Sequence, residues 1–243
     1  MKKNLVGALL MLILFSVSSF ASEITISCAA SLKEVIEELS DKFNKENKKI
    51  KVNVNLGGSG ALKNQIIAGA PVDLVFFASQ KDLTDLSEKG FVEKDYQKNM
   101  LKNRLVIAGR TQIQSLDKLL GYKTAIGIPE TVPAGRYAKE VLTKSKLWDE
   151  IHKDLVFTRD VRSAAQYVDL YEVDFSFIYK TDVTMLKNSD IVFTVPEELH
   201  SPIIYSYGIV KDRANTDVVK FYNFLNSEYA KKIYEKYNFE LVE

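Results

Sequence analysis

Residues Ile50 to Leu56 (IKVNVNL) alternate apolar and polar, the period of a strand with one buried face. Glu23 to Cys28 (EITISC) is a second β-rich run. Between the two, Leu32, Val35, Ile36, Leu39 and Phe43 recur at helical spacing, which predicts an amphipathic helix over Leu32 to Asn44. The glycine-rich turn Gly57 to Gly60 leads into a helical stretch from Ala61 to Ala68. Asp73 to Ala78 (DLVFFA) is then an apolar run, as an inner parallel strand is when both its faces are covered. Strand, helix, strand, helix, strand is the order of an open parallel sheet.

The order restarts after Leu105 to Gly109 (LVIAG). Strands are expected at Thr124 to Ile128, Leu155 to Thr158 and Phe175 to Tyr179, with helices from Ala134 to Lys144 and from Arg162 to Tyr171 between them. Ile203 to Val210 (IIYSYGIV) reads as a further strand, and amphipathic helices over Asp217 to Leu225 and Ser227 to Tyr237 close the sequence. No Pro- or Ser-rich linker interrupts it. The expected fold is α/β in two lobes, each an open, mainly parallel sheet flanked by helices. Two β-like crossings, near Arg104 to Ile107 and Tyr205 to Val210, would join the lobes as a hinge. Residues 22–103 plus 209–243 form lobe 1 in this reading and residues 104–208 form lobe 2. At about 150 residues per domain, 243 residues allow one or two such units.

The first segment, MKKNLVGALLMLILFSVSSFAS, has Lys2 and Lys3, an apolar stretch from Leu5 to Phe15 and the small-residue ending Ser19-Phe20-Ala21. That is the pattern of a secretory signal peptide cleaved after Ala21, residues 1–21. The apolar stretch is well short of the roughly 20 residues of a spanning helix. Cys28 lies inside ITISCAAS and not beside the cleavage point, which argues against a lipid anchor, so a soluble periplasmic protein is expected.

Charge narrows the partners. With 33 Lys and Arg against 32 Asp and Glu, the formal charge of +1 supplies no field to recruit nucleic acid or an acidic membrane. Cys28 is the only cysteine, so an intramolecular disulfide and a Cys-rich zinc site are excluded. His152 and His200 leave little for metal chemistry. Neither a bound metal cation nor a cofactor is expected.

Four strand-to-helix turns could carry chemistry. In Ala29-Ala30-Ser31-Leu32-Lys33-Glu34, the spacing of Ser31 and Glu34 is that of a capping box; Ser31 is equally a plain cap or a ligand residue at this level. Leu56-Gly57-Gly58-Ser59-Gly60-Ala61 has more glycine than a turn requires, which lets backbone amides approach a ligand. Pro129 to Gly135 and Asp160-Val161-Arg162 each open a helix whose first amides are unpaired and electropositive. Ligands of open parallel sheets sit outside the carboxyl ends of strands, where all four turns lie. If the lobes face each other, the helix starts converge into an anion site without a cationic side chain; four unconnected caps are the alternative. Tyr179 ends a strand at the same edge and adds a hydroxyl donor, whereas Trp148 reads as packing.

Two rival chemistries are testable on the same residues. Gly57-Gly58-Ser59-Gly60-Ala61 comes close to the G-x-S-x-G elbow of serine hydrolases but ends on Ala61, and the histidine such an enzyme needs would be His200, in a polar, Pro-flanked loop. The P-loop pattern is absent, and Gly58 to Lys63 breaks the dinucleotide fingerprint at its third glycine.

Taken together, Ala29-Ala30-Ser31-Leu32, Gly58-Ser59-Gly60, Gly69-Ala70-Pro71-Val72-Asp73-Leu74, Val132 to Ala138, Asp160-Val161-Arg162 and Tyr179-Lys180-Thr181-Asp182 resemble the periplasmic molybdate-binding proteins of ABC importers over nearly the whole chain beyond the signal segment. The resemblance implies a two-lobed class II binding protein, a monomer that closes over molybdate or tungstate and hands it to a membrane permease. It implies the hydroxyls of Ser31, Ser59 and Tyr179, and main-chain amides at or beside Ser31, Ser59, Ala134 and Val161, as anion donors. Such an oxyanion, fully deprotonated, offers only acceptors. A cavity of donors suits it, with no carboxylate, lysine or arginine touching it. Sulfate is equally a bare acceptor, so a sulfate-binding protein stays open. Two residues depart from the family pattern: glycines flank Ser59 where many relatives have more hydroxyls, and Cys28 takes the place of a smaller residue and reads as a buried strand position.

Overall fold

The computed structural model describes residues 22–242. The expected signal segment, residues 1–21, lies outside the described residues. Strand β1 (Ser22–Ala29) is followed by α1 (Lys33–Glu46), β2 (Ile50–Gly57), α2 (Ser59–Ile67), β3 (Leu74–Phe77), α3 (Gln80–Glu88) and the long β4 (Val92–Lys102). The chain then crosses to β5 (Leu105–Gly109), β6 (Thr124–Gly127), α4 (Pro133–Lys144), α5 (Trp148–Ile151), β7 (Leu155–Thr158), α6 (Val161–Asp169), β8 (Phe175–Tyr179) and β9 (Asp190–Thr194). It returns through β10 (Ile204–Val210), α7 (Thr216–Phe224), α8 (Glu228–Lys236) and the short β11 (Glu240–Leu241).

These strands make two sheets, in the orders β11-β4-β10-β3-β1-β2 and β7-β6-β8-β5-β9. The strand-helix-strand units expected from the pattern form the parallel heart of each sheet: β1 with β2 and β3, and β6 with β7 and β8. The strands flanking the crossings add on antiparallel, with β10 against β3 and β4, and β5 against β8 and β9. Each sheet is therefore mixed, because a segment arriving from the other lobe can enter without a crossover helix.

One boundary moves. Strand β10 pairs along its length inside the first sheet, with Ile204 opposite Lys102, Tyr207 opposite Phe76 and Ile209 opposite Leu74. A strand bonded on both edges cannot be divided between lobes, so the second lobe ends before Ile204 and not at residue 208. The second crossing is Val195 to Ile203, not Tyr205 to Val210. The first is only Asn103 and Arg104, and the two crossings touch where the Asn103 amide donates to the Ile203 carbonyl at 3.2 Å.

Helix α1 buries Val35, Ile36, Leu39 and Phe43, as its periodicity requires. The Phe43 ring lies 4.8 Å from that of Phe221 on α7, and a fully buried side chain of this kind stabilises by about 1.5 to 3 kcal/mol. Cys28 is fully buried on β1, where desolvation pushes its thiol well above the ordinary value. In the second lobe, α4 lies backbone-to-backbone on β6: a Cβ added at Gly135 would sit 1.8 Å from the Gly127 carbonyl oxygen. That contact fixes where α4 begins, and so aims its first turn. Among the described residues no helix is long and apolar enough to cross a membrane.

Candidate functional site

Ser31 sits in a single 3-10 turn, Ala30–Leu32, between β1 and α1; Ser59 is the first residue of α2, Ala134 the second of α4, Val161 the first of α6, and Tyr179 the last of β8. All five line one small cavity between the lobes. Ser31, Ser59, Ala134, Val161 and Tyr179 are each buried. Lobe 1 contributes the two serines and lobe 2 the other three residues.

Small and apolar residues make up much of the cavity wall, and hydrogen-bond donors are set among them. The residues preceding α2 and α4, Gly58 and Val132, make no side-chain cap. Pro133 opens α4 and has no N–H, so the first amide that this helix can offer is that of Ala134. Helix α6 is capped by Asp160, whose carboxylate accepts from the Ser163 amide at 2.7 Å and leaves the Val161 amide free. Among the described residues the amides of Ser31, Ser59, Ala134 and Val161 have no hydrogen-bond partner. Those of Ser59, Ala134 and Val161 are first-turn amides of α2, α4 and α6, where helix partial charge is positive. The Ser59 hydroxyl accepts from the Ala78 amide at 3.0 Å, and the Ser31 hydroxyl lies 2.8 Å from that of Tyr205. The buried Tyr179 hydroxyl has no partner among the described residues, and burial pushes its pKa well above the ordinary value, so it keeps its proton.

No charged residue lines the cavity. Two arginines of lobe 2 stand close by, each engaged with lobe 1. Arg162 pairs with Glu34, donates to the Ser31 carbonyl at 3.3 Å, and holds its Nε 3.0 Å from the fully buried Asp182. Arg136 donates to the Ser79 hydroxyl at 3.2 Å and to Asp82 at 3.1 Å. Backbone joins them: the Gly60 and Ala61 amides both donate to the Thr131 carbonyl, at 2.9 and 3.3 Å. Burial raises Asp182 to about 6, against the pull of Arg162 and of the Tyr179 amide that donates to it at 3.1 Å.

A comparison with known families matches residues 24–240 to the bacterial extracellular solute-binding proteins. The chain belongs to that family. This solute-binding protein is 39% identical, over 89% of its length and 85% of the relative's, to the putative ABC transporter substrate-binding lipoprotein YvgL of Bacillus subtilis. It is 33% identical to the molybdate-binding protein ModA of Haemophilus influenzae, covering 91% of this chain and 92% of the other. Among solved structures, the substrate binding domain of a putative molybdenum ABC transporter from Clostridium difficile superposes with a TM-score of 0.68 at 36% identity, over 91% of this chain and all of that one.

In the solute-binding protein the expected capping box at Ser31 and Glu34 does not form. Both side chains have partners across the fold instead, Tyr205 and Arg162, and α1 begins only at Lys33. His200 is buried and not solvated in its loop; its Nδ1 lies 2.8 Å from the Ser201 carbonyl oxygen, and it lines a separate cleft with Arg104 and Glu197. It therefore gives Ser59 no base. Asn103, Tyr205, Arg136 and Asp82, which the sequence reading does not single out, form the supporting contacts, because their partners lie far away in the chain. Arg162, inside Asp160-Val161-Arg162, and Arg136, inside Val132 to Ala138, do lie within motifs that carry the family resemblance.

Proposed function

We propose that this protein binds molybdate or tungstate in the interlobe cavity and delivers it to the permease of an ABC importer. In this reading a cleaved signal peptide exports it to the periplasm, and it acts as a monomer without a catalytic step or cofactor. The observation that carries the reading is the convergence of two serines from one lobe with a tyrosine and two helix starts from the other, all donors and none charged. The named ligand of the Haemophilus influenzae relative supports the same reading.

The anion would enter between open lobes and exchange its water shell for the Ser31, Ser59 and Tyr179 hydroxyls and the amides of Ser31, Ser59, Ala134 and Val161. Preorganised dipoles need little reordering on binding, which favours affinity. Hydrogenphosphate brings a proton that only a hydroxyl oxygen of this wall could accept, at the expense of a bond that hydroxyl would donate, and a buried unpaired donor costs about 1 to 3 kcal/mol. Sulfate is as bare an acceptor as molybdate and smaller, so cavity dimensions must separate them.

A thermal-shift panel tests the reading. Ligand at 100 times its dissociation constant adds about 2.7 kcal/mol, a Tm rise of roughly 5 to 11 °C for a chain of this size. Molybdate and tungstate are expected to produce it and phosphate is not. A rise with sulfate alone makes this a sulfate receptor, and silence from every oxyanion sinks the proposal. Ester turnover abolished by Ser59→Ala would establish a hydrolase instead.

A further inference from the structure

Resting on the oxyanion reading above, we propose that Asn103 and Tyr205 are positioning residues. They fix the direction of the Ser31 proton, and so set the cavity against oxyanions that carry a proton of their own.

The direction follows from a chain of groups with limited options. The Asn103 carbonyl oxygen accepts from the Arg104 amide at 2.9 Å, which turns the amide nitrogen the other way. That nitrogen lies 2.9 Å from the Thr181 hydroxyl and 3.2 Å from the Tyr205 hydroxyl, and an NH2 group can only donate. Tyr205 therefore accepts from Asn103. It is fully buried, and desolvation, aided by the nearby Asp182, keeps its phenol protonated. Its single proton has one acceptor within reach among the described residues, the Ser31 oxygen at 2.8 Å. The reverse orientation, Ser31 donating to Tyr205, would leave a buried phenolic O–H with no acceptor, which is costly. Ser31 thus accepts from Tyr205, and its own proton is directed to the cavity.

Ser59 is constrained the same way by another group. Its oxygen accepts from the Ala78 amide, so its proton too is left for the cavity. Each serine then meets the ligand with its proton, one of its two lone pairs being already engaged. The relay also begins in the first crossing: Asn103 joins Tyr205 and Ser31 on lobe 1 to Thr181 on lobe 2, so the proton order is set where the lobes hinge.

Asn103→Asp inverts the relay with almost no change in shape. A carboxylate accepts from Tyr205, Tyr205 then accepts from Ser31, and Ser31 presents a lone pair to the cavity. Titration calorimetry at mildly alkaline pH, with molybdate and with inorganic phosphate as its dianion, reads the effect as a ratio of affinities. Both ligands carry the same charge, so the added carboxylate cancels from that ratio. The expected result is a molybdate-to-phosphate ratio lowered by about tenfold or more in Asn103→Asp, one hydrogen bond reversed. Tyr205→Phe, which frees Ser31 to turn either way and removes only one oxygen, gives a smaller drop in the same direction and carries the test if the first variant does not fold. Wild-type binding of molybdate, with both variants losing the two ligands by equal factors, overturns the relay while leaving the proposed function intact. A wild-type protein that binds neither anion overturns both.

Discussion

Gly60→Ala separates closure from folding. A Cβ at Gly60 would lie 2.9 Å from both the Cα and the carbonyl oxygen of Thr131, across the cleft. Both are backbone atoms, so no side chain can swing aside, and the lobes must stand apart by several tenths of an ångström. That strains the hydrogen bonds from the Gly60 and Ala61 amides to Thr131. Losing one such bond costs about 0.5 to 1.5 kcal/mol, and imperfect closure weakens the ligand's bonds as well, so binding should fall by about 1 to 3 kcal/mol, roughly 5- to 150-fold. Within lobe 1 the change is benign, since Gly60 is the second residue of α2 and alanine favours a helix over glycine by about 1 kcal/mol. Calorimetry with molybdate should therefore show weakened binding, while the Tm without ligand is unchanged or slightly raised. Wild-type affinity in Gly60→Ala would refute the reasoning, because it would mean that binding does not require the Thr131 contact.

Ser59→Ala removes a buried donor to a charged partner and should weaken molybdate by about 1.5 to 3 kcal/mol in the same titration; unaltered affinity would remove Ser59 from the site. Gly135→Ala should lower the Tm by the equivalent of about 3 kcal/mol or more, since its Cβ would enter the Gly127 carbonyl, and calorimetric unfolding checks it. Asp182 holds its proton up to about pH 6 in the folded state, whereas the unfolded carboxyl loses it near its ordinary value of 3.8. The folded state thus binds more protons between those values, and stability contributed by this group is present below pH 4 and falls as pH rises to 6. The fall is roughly 2 to 3 kcal/mol, and urea unfolding across that range should lose this component of the slope in Asp182→Asn.

Most elements were legible where apolar spacing is strong: the faces of α1 and α4, and the apolar cores of β3, β5 and β8. Three were not. Helix α3 (QKDLTDLSE) buries only Leu83, Leu86 and the capped, ion-paired Asp82, too few apolar residues for a periodic signal. Strand β4 (VEKDYQKNMLK) is largely polar because much of it is solvent-facing, and it is held by pairing to β10 and β11 rather than by burial along its length. Strand β9 is five residues long with one fully buried position, Val192. At the site, the turns that hold Ser31, Ser59, Ala134, Val161 and Tyr179 could be read locally, since glycine, proline and hydroxyl residues punctuate strand-to-helix junctions. Their supports could not. Ser31 and Tyr205 are 174 positions apart, and Arg162 and Glu34 are 128 apart, so nothing near either residue announces the other.

The place of β10 between β3 and β4 orders the birth of the molecule. A chain emerging N-terminus first exposes both of those flanking strands with unpaired edges until Ile204–Val210 arrives, while residues 105–194 already form a contiguous sheet of their own. Bare edges template association between copies, so the interval before the last forty or so residues emerge is when aggregation threatens most. The lobe begun first is the one finished last, and a chain stopped short of β10 would lose the strand that ties β4 to the parallel half of its sheet.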